Sequence, residues 1–415
     1  MLNVLINAYA VAPRWGSEQG MAWNWITYLA KYCNLYIITE GEWQTEIEEA
    51  VAVHPNKDHL HFYYNPVPEK VRKMCWNQGD WRFYIHYRKW QKKTLEIARE
   101  ICKKEKIDIT HQLNMIGFRE PGLLWQIEGV KHVWGPIGSM GAIPNRFLKD
   151  LPLKVRVKSW LKNVITEYQI THGAVKKAIE KNDALVAALS VTHDKILQHY
   201  GKDVLTMGET GLTPNEGHPH GVCDNRPIEL LWVGRFIPTK KLSIALEALA
   251  KTDKPKDFRL HVVGSGTPEE DAMYKKMAID LGINDIVIFH GRQPNEVVQI
   301  MMREKDLFYF TSVHEGGPHV ILEAITNNLP ILCFDTCGQG VVTDSSIGMK
   351  VPFTTLEEGI MGFTEKLNYI NKHRELLPIL SANCTEKQRE LSWDCKVEKM
   401  VELYENVLNN NYNSI

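Results

Sequence analysis

Short apolar runs alternate with helix-length stretches along the whole chain, and most of the runs end at a loop rich in Gly or Pro. The first run, Val4–Tyr9, ends at such a loop and precedes a helical pattern from Met21 to Lys31. Strands separated by helices of this length pair in parallel, because each helix carries the chain back to the start of the next strand. The pattern predicts an α/β fold of doubly wound, Rossmann-like type.

The predicted strands form two sets, separated by a segment at 207–226 that is rich in Gly, Pro, Asn and Thr and is predicted to be a linker. A chain of 415 residues is too long for one ordinary core. We therefore expect an N-terminal domain at 1–206 and a C-terminal domain at 227–393. The other predicted strands are Leu35–Thr39, Ile107–Thr110, His132–Trp134 and Ala184–Leu189 in the first set, and Glu229–Val233, Arg259–Val263, Asp285–Phe289, Leu307–Thr311 and Pro330–Phe334 in the second.

Composition and the N-terminus indicate a cytoplasmic globular protein. No window approaches the roughly 18 consecutive apolar residues of a membrane span, and the N-terminus lacks the basic start of a signal peptide. The eight Cys residues contain no C-x-x-C pair, which fits a reducing compartment. His218 and His220 have no carboxylate or Cys at ligand spacing, so a polar loop is the favoured interpretation of them.

Charge is unevenly distributed, although the formal net charge is only −1. The segment from Lys70 to Lys181 holds 23 Lys and Arg against 10 Asp and Glu. Such an excess suggests an anionic partner, but no nucleic-acid recognition motif accompanies it. An anionic membrane surface and a plain solvated face both remain open. The apolar residues interleaved with these cations are Trp76, Trp81, Phe83, Tyr84, Tyr87 and Trp90 in one run, and Leu151, Leu153, Val157, Trp160 and Leu161 in another.

The segment His314–Ala324 carries the clearest chemical pattern. It follows a predicted strand, begins with Glu315 and two glycines, and continues as an apolar helix that contains Glu323. Amides at a helix N-terminus bind anions, and the Glu315 carboxylate can accept hydrogen bonds from sugar hydroxyls. The alternative is an acid at the helix N-cap with an unrelated glutamate further along.

A second pattern, Leu231–Lys241, places two cations after a strand that ends at Gly234. Arg235 and Lys240 can together hold a diphosphate, whose negative charge grows as a sugar leaves it. A solvated loop with ordinary surface charge is the alternative. Between these patterns, Val262–Glu270 begins like a dinucleotide fingerprint but has Glu269 in place of the third glycine, which disfavours a nicotinamide or flavin enzyme.

Two absent motifs narrow the chemistry further. The sequence has no D-x-D pair to hold a divalent cation on a diphosphate, and no Walker G-x-x-x-x-G-K-[ST]. We therefore expect no metal requirement and no cofactor other than the co-substrate.

In this order the patterns resemble glycosyltransferase family 4, whose members are retaining enzymes with the GT-B fold. The resemblance covers about residues 230–352, through V-G-R with a downstream Lys, V-x-G-x-G, F-x-G and E-G with a second Glu. It implies two Rossmann-like domains that face each other across a cleft. It also implies a donor site whose residues include Gly234, Arg235, Lys240, Gly264, Ser265, Gly266, Gln293, Glu315, Gly316, Gly317, Pro318, His319, Val320 and Glu323.

Within that set the resemblance implies distinct roles. Arg235 and Lys240 would hold the donor diphosphate, while the backbone from Gly316 to His319 would cover the donor sugar and phosphates. Glu315 would contact the sugar and Glu323 the ribose hydroxyls. Gln293 lies where the base is usually held.

The N-terminal half resembles the family more loosely. Gly16 and Ser17 would lie under the donor phosphates, and His111, at the end of its predicted strand, would reach the donor sugar. The loop Trp134–Gly141 is a candidate acceptor wall. By resemblance, the helix at 394–415 packs back on the first domain.

The resulting hypothesis is a hexosyltransferase that moves a sugar from a nucleotide-diphosphate donor to a saccharide or lipid-linked acceptor, in cell-surface polysaccharide or glycolipid synthesis. The leaving phosphate oxygen takes the acceptor's proton, so positioning and electrostatics supply the catalysis. A sugar-nucleotide epimerase, a phosphorylase and an inactive sugar-nucleotide-binding subunit remain as alternatives.

Overall fold

The computed structural model describes residues 1–76, 80–141, 153–215, 217, 219–221, 225–315, 317 and 319–411. By their contacts they divide into two compact units. The first holds Met1–Gly141, Lys162–Glu209 and Trp393–Ile415; the second holds Ala142–Leu161 and Thr210–Ser392. The two sets of predicted strands therefore lie in different units.

Both units are built from parallel strands and helices. The strands are β1 (Leu2–Ala8), β2 (Cys33–Thr39), β3 (Leu60–Tyr64), β4 (Ile109–Asn114), β5 (Lys131–Ile137), β6 (Ala184–Ala187), β7 (Leu205–Thr206), β8 (Ile228–Val233), β9 (Phe258–Val263), β10 (Val287–Gly291), β11 (Leu307–Phe310), β12 (Ile331–Asp335) and β13 (Gly348–Pro352). The helices are α1 (Ser17–Leu29), α2 (Gln44–Ala52), α3 (Glu69–Trp76), α4 (Arg82–Lys104), α5 (Leu153–Thr171), α6 (Gly173–Lys181), α7 (Ser190–Tyr200), α8 (Leu242–Ala250), α9 (Pro268–Asp280), α10 (Asn295–Glu304), α11 (His319–Thr326), α12 (Cys337–Val342), α13 (Leu356–Lys372), α14 (Leu376–Glu390) and α15 (Trp393–Leu408).

The first unit has a parallel sheet in the order β3-β2-β1-β4-β5-β6-β7. The chain builds outwards from β1 on one side and then returns to place β4 on the other. The central strands are apolar on both faces because helices cover both. The terminal helix α15 completes this core, with Val397, Met400 and Tyr404 fully buried among residues of β1 and α1.

The second unit repeats this winding in the order β10-β9-β8-β11-β12-β13, again with every pair parallel. Two apolar cores lie on the two faces of the sheet. The winding reverses between β8 and β11, so the loops after these two strands are neighbours. In doubly wound sheets, ligands bind where the carboxyl ends of the strands meet such a reversal.

The predicted strands occur in the structure with ends shifted by a few residues. The largest consequence concerns β4, predicted at Ile107–Thr110 and observed at Ile109–Asn114. His111 therefore lies inside the strand, not at its end as the sequence suggested. The fully buried pattern of β4 explains the error, because Gln112 and Asn114 are polar yet enclosed and hydrogen bonded.

Candidate functional site

The loops after β8, β9 and β10 are joined by backbone hydrogen bonds. Gly234 N–H donates to the Val263 carbonyl at 3.0 Å, and Gly264 N–H donates to the Gly291 carbonyl at 2.8 Å. Gly264 has a φ of +139°, and a Cβ at this position would lie 1.8 Å from the Gly234 carbonyl oxygen. Only glycine fits there. Two of the predicted donor-binding loops are thus held against each other.

The rest of the loop after β9 is fixed by the helix that follows it. The Ser265 carbonyl accepts a hydrogen bond from Phe236 N–H, and Gly266 N–H donates to Asp271. Thr267 and Glu270 form a capping box at the start of α9. The Gly266 N–H is therefore hydrogen bonded within the protein, to Asp271. Ser265 is hydrogen bonded to the loop that carries Arg235, through Phe236.

The winding reversal brings Lys240 and Glu315 together across 75 residues of sequence. Lys240 Nζ lies 2.5 Å from Glu315 Oε1, and the two side chains are only 17% and 16% exposed. Ser312 Oγ donates to the same carboxylate oxygen at 2.6 Å. Lys240 Nζ also lies 5.1 Å from the centre of the Phe310 ring. A cation and a carboxylate predicted to serve one donor thus form one ion pair.

Arg235 lies earlier in the same loop and is exposed. Within the described part of the chain its guanidinium makes no ion pair or hydrogen bond. A guanidinium offers several donors in a fixed plane and suits phosphate oxygens. The loop after β8 therefore presents one uncommitted cation and one cation balanced by Glu315.

The helix α11 follows Glu315 and begins at His319, with Val320 packed on the core beneath the sheet. Gly317 and His319 are described, whereas Gly316 and Pro318 lie outside the described residues. Desolvation lowers the pKa of His319, and the nearby Glu315 carboxylate opposes that change. His319 and Glu315 are thus close enough for their charges to interact.

Glu323 lies in α11 and faces α10. Burial raises the pKa of this carboxyl, and a hydrogen bond with the Gln299 side chain opposes the rise. Gln293 lies between β10 and α10, where its side-chain amide donates to the His290 carbonyl at 2.6 Å. The predicted ribose and base positions are therefore both at the α10 side of the second unit.

Two residues that contact the Lys240–Glu315 pair were not predicted from the sequence. Ser312 and Phe310 are buried at the end of β11, and neither carries a charge that would single it out. The available signal was position: Ser312 lies three residues before Glu315, at the edge of the sheet where ligands bind.

In the first unit, Gly16 and Ser17 lie at the N-terminus of α1, exposed, in the loop that follows β1. Glu18 comes next, and its Oε1 accepts a hydrogen bond from Ile116 N–H at 2.6 Å, which ties this loop to the one after β4. Burial raises the pKa of Glu18 and the Ile116 contact opposes that rise. Glu18 was not among the predicted residues.

His111 is fully buried in β4 with both ring nitrogens engaged. Nε2 lies 2.7 Å from the Gly135 carbonyl oxygen, and Nδ1 lies 2.6 Å from Tyr404 Oη in α15. Burial lowers the pKa of His111 to about 4. Both ring nitrogens of His111 thus contact protein groups, and its reach to a donor sugar stays a prediction.

The two basic runs differ in the structure. Of the aromatic residues in the first run, Phe83, Tyr87 and Trp90 are buried in α4, whereas Trp76, Trp81 and Tyr84 are 42%, 68% and 44% exposed. In α5 the apolar residues stay outside: Leu153 is 71% exposed and Trp160 is 52% exposed. The other exposed apolar residues of α5 are Val155, Val157, Leu161, Val164, Ile165 and Tyr168. Residues 142–152, including Leu151, lie outside the described residues.

The cations of α5 are exposed as well. Lys154, Arg156, Lys158 and Lys162 make no ion pair with any described carboxylate. The acid of this helix, Glu167, is held by Lys195 and His199. The first half of α5 therefore combines exposed apolar side chains with unbalanced positive charge.

Across the residues that the structure describes, no three His, Cys, Asp or Glu side chains are grouped so that they could hold a metal ion. Among the helices described, none combines the length and apolar character needed to span a bilayer.

Comparison with known proteins places the second unit in context. Residues 218–366 match the family model of "Glycosyl transferases group 1". An uncharacterized glycosyltransferase of Haemophilus influenzae is 30% identical over 185 residues, which are 43% of this chain and 48% of that protein. A lipopolysaccharide 1,6-galactosyltransferase of Salmonella typhimurium is 31% identical over 115 residues, 27% of this chain and 31% of that one.

The chain thus spans about half, or less, of the length of these curated relatives. Among solved structures, the lipopolysaccharide outer core galactosyltransferase WaaB in its apo form is similar over 99% of this chain and 100% of its own, with a TM-score of 0.61 and 15% identity. This likeness confirms the predicted fold, two Rossmann-like domains of GT-B type.

Proposed function

We propose that this protein is a retaining, metal-independent glycosyltransferase of family 4 that transfers a hexosyl group from a nucleoside diphosphate sugar. The observation that carries the proposal is the meeting of Lys240 and Glu315 at the winding reversal of the second unit, within the segment that matches group 1 glycosyl transferases. One group suits a diphosphate and the other suits sugar hydroxyls, so a single ligand that contains both explains why they lie together.

In the proposed donor complex, Arg235 and Lys240 hold the two phosphates, and the amides around Gly317 and His319 at the start of α11 add further donors. Glu323 accepts from the ribose hydroxyls, and Gln293 lies beside the base. Glu315 accepts from the hydroxyls of the sugar. The proposed phosphate contacts of Gly16 and Ser17 rest on the family resemblance.

The proposed chemistry needs no protein nucleophile. The bond between the sugar and the diphosphate breaks, the acceptor hydroxyl bonds to the anomeric carbon on the same face, and its proton passes to the departing phosphate oxygen. Negative charge grows on the diphosphate during this step. Arg235 and Lys240 would stabilise that charge more strongly in the transition state than in the ground state, which is what lowers the barrier.

The test is a melting-shift panel of nucleoside diphosphates and their sugar conjugates, followed by product analysis with and without acceptor. A ligand that binds only the native state raises the melting temperature. Transfer to an acceptor supports the proposal. A new sugar nucleotide formed without acceptor would indicate an epimerase, phosphorolysis would indicate a phosphorylase, and binding without any product would indicate an inactive subunit.

The proposed acceptor is lipid-linked, and the proposed place of work is the cytoplasmic face of the plasma membrane. The exposed apolar residues and unbalanced cations of α5 support this, because such a helix can lie at an anionic lipid surface. The curated name of the Salmonella relative, a lipopolysaccharide galactosyltransferase, agrees with a role in cell-surface glycolipid or polysaccharide synthesis.

A further inference from the structure

Ser312 is fully buried, and its hydroxyl has a single proton to donate. Three acceptors surround it: Glu315 Oε1 at 2.6 Å, the Thr239 carbonyl at 3.1 Å and the His314 carbonyl at 3.5 Å. The shortest contact is to the ionised group, and a hydrogen bond to a charged acceptor is the stronger kind. The proton of Ser312 therefore goes to Glu315.

Ser312 is itself held on two sides. The Gln339 side chain donates to its carbonyl at 3.0 Å, and the next residue, Val313, donates its N–H to the Thr239 carbonyl at 2.8 Å. Thr239 directly precedes Lys240. Ser312 and Val313 together thus connect the loop that carries Lys240 to the loop that carries Glu315.

Lys240 and Ser312 both contact the same oxygen of Glu315. The charge of Lys240 is therefore balanced by Glu315 in this structure. A donor diphosphate needs that charge, and a donor sugar needs the carboxylate. Both needs are met if Lys240 turns from Glu315 to the phosphates while Ser312 keeps Glu315 in place.

We propose that the Lys240–Glu315 pair is the resting state of the donor site, opened by a nucleoside diphosphate, and that Ser312 is the positioning residue that then holds Glu315 for the sugar. This rests on the proposed function and extends it, because it assigns a cost to binding and a role to a residue that does not touch the ligand.

If the pair is the resting state, removing the charge of Glu315 should tighten the binding of a free nucleoside diphosphate, whereas removing an ordinary ligand-binding group weakens binding. Glu315→Gln removes the carboxylate that competes for Lys240, so a free nucleoside diphosphate should bind about fivefold more tightly or better, given the Coulomb energy of a partly buried charge. Turnover of the sugar donor should fall at the same time. The probes are UDP, GDP, ADP and dTDP, each titrated by calorimetry against the wild type and the variant.

The positioning role of Ser312 is tested with Ser312→Ala against Ser381→Ala, a matched loss of a buried hydroxyl in the same unit. Ser381 Oγ contacts the Asn328 carbonyl and His220 N–H, away from the ion pair. Both variants should lose some thermal stability. Only Ser312→Ala should lower kcat, by about tenfold, because Glu315 would then be held less well for the sugar in the transition state. The Kd of the diphosphate should stay within about threefold of wild type. Ser312→Thr should restore part of kcat.

The outcomes separate the two proposals. If the wild type binds none of the four diphosphates, the proposed function fails and takes this inference with it. If the wild type binds one and Glu315→Gln binds it equally or more weakly, the resting pair is rejected while the proposed function stands. If Ser312→Ala and Ser381→Ala lower kcat equally, the positioning role of Ser312 is rejected.

Discussion

The ring of His111 in β4 is hydrogen bonded to the hydroxyl of Tyr404 in α15, with Nδ1 and Oη 2.6 Å apart. Its Nε2 lies against the Gly135 carbonyl, which can only accept, so Nε2 carries the proton and Nδ1 accepts from Tyr404. The neutral ring therefore satisfies both contacts, and a protonated ring would have to reverse the one with Tyr404, whose hydroxyl would then accept from Nδ1.

This pairing predicts a pH-dependent stability. The pKa of His111 is lowered from 6.5 to about 4, so its contribution to stability is complete above pH 6.5 and is lost as the pH falls towards 4, where the unfolded chain takes up a proton first. The loss amounts to about 3 kcal/mol over that window. His111→Gln should lower the urea midpoint at pH 7.5, and the gap to wild type should narrow at pH 5. A gap that widens on acidification would contradict the lowered pKa of His111.

The diphosphate contacts predict a large kinetic effect in the second unit. Arg235→Ala or Lys240→Ala should reduce kcat/KM by about 100-fold or more, since each removes a contact that strengthens as the sugar leaves. Steady-state kinetics measures this, with Lys254→Ala, an exposed lysine after α8, as the matched control. Activity of either variant within about threefold of wild type would reject the assignment.

The two glutamates of the site predict different binding profiles. Glu323→Ala should weaken both the free nucleoside diphosphate and the sugar donor, because the ribose is common to them. Glu315→Ala should weaken the sugar donor and leave the free diphosphate bound at least as well as in wild type. Calorimetry measures the affinity of each variant for both ligands. If both variants lose affinity for both ligands to the same extent, the assignment of Glu323 to the ribose and Glu315 to the sugar is rejected.

Metal independence predicts that transfer persists in EDTA. The reason is that, in the proposed donor complex, Arg235, Lys240 and helix amides would supply the charge stabilisation that a divalent cation could otherwise provide. Initial rates are compared in EDTA, in Mg²⁺ and in Mn²⁺ after removal of bound metal. Activity that disappears in EDTA and returns with either ion would show that the proposal is wrong on this point.

The α5 surface predicts binding to anionic liposomes that weakens as salt rises. Each well-placed cation contributes about 1 kcal/mol at such a surface. Changing Arg156, Lys158 and Lys162 together to Gln should release the protein in a co-sedimentation assay. The same change at Lys89, Lys92 and Lys93 of α4, a helix that buries Phe83, Tyr87 and Trp90, should have a smaller effect. A wild type that stays in the supernatant at low salt would favour a soluble acceptor.

Most of the strands that were predicted from the sequence are buried on both faces, with the edge strand β10 as an exception. β11 and β12, for example, are short and almost continuously apolar, a pattern that indicates a buried strand. The strands that were missed are β3, β7 and β13: β7 has only two residues, and β13 contains Gly, Lys and Pro at the edge of its sheet. Edge strands are half exposed, so their sequences carry a weaker apolar signal.

The candidate site residues were predicted from their places in the sequence together with the family resemblance. Arg235, Lys240 and Glu315 follow strands and Glu323 lies within α11, and the resemblance assigns all four to one donor. Their pairing is not local, because Lys240 and Glu315 meet only through the strand order that places β8 beside β11. The same applies to α5, where the sequence pattern of apolar and basic residues was equally consistent with packing inward, as α4 does.

The contribution of α15 to the core of the first unit has a consequence for how the chain matures. A ribosome makes Met1–Glu209 before Val397, Met400 and Tyr404, whose apolar side chains complete this unit. Residues Thr210–Ser392 can finish their own sheet in the meantime. The N-terminal part must therefore wait, with part of its apolar surface uncovered, and its folding is tied to the completion of the C-terminal part rather than preceding it.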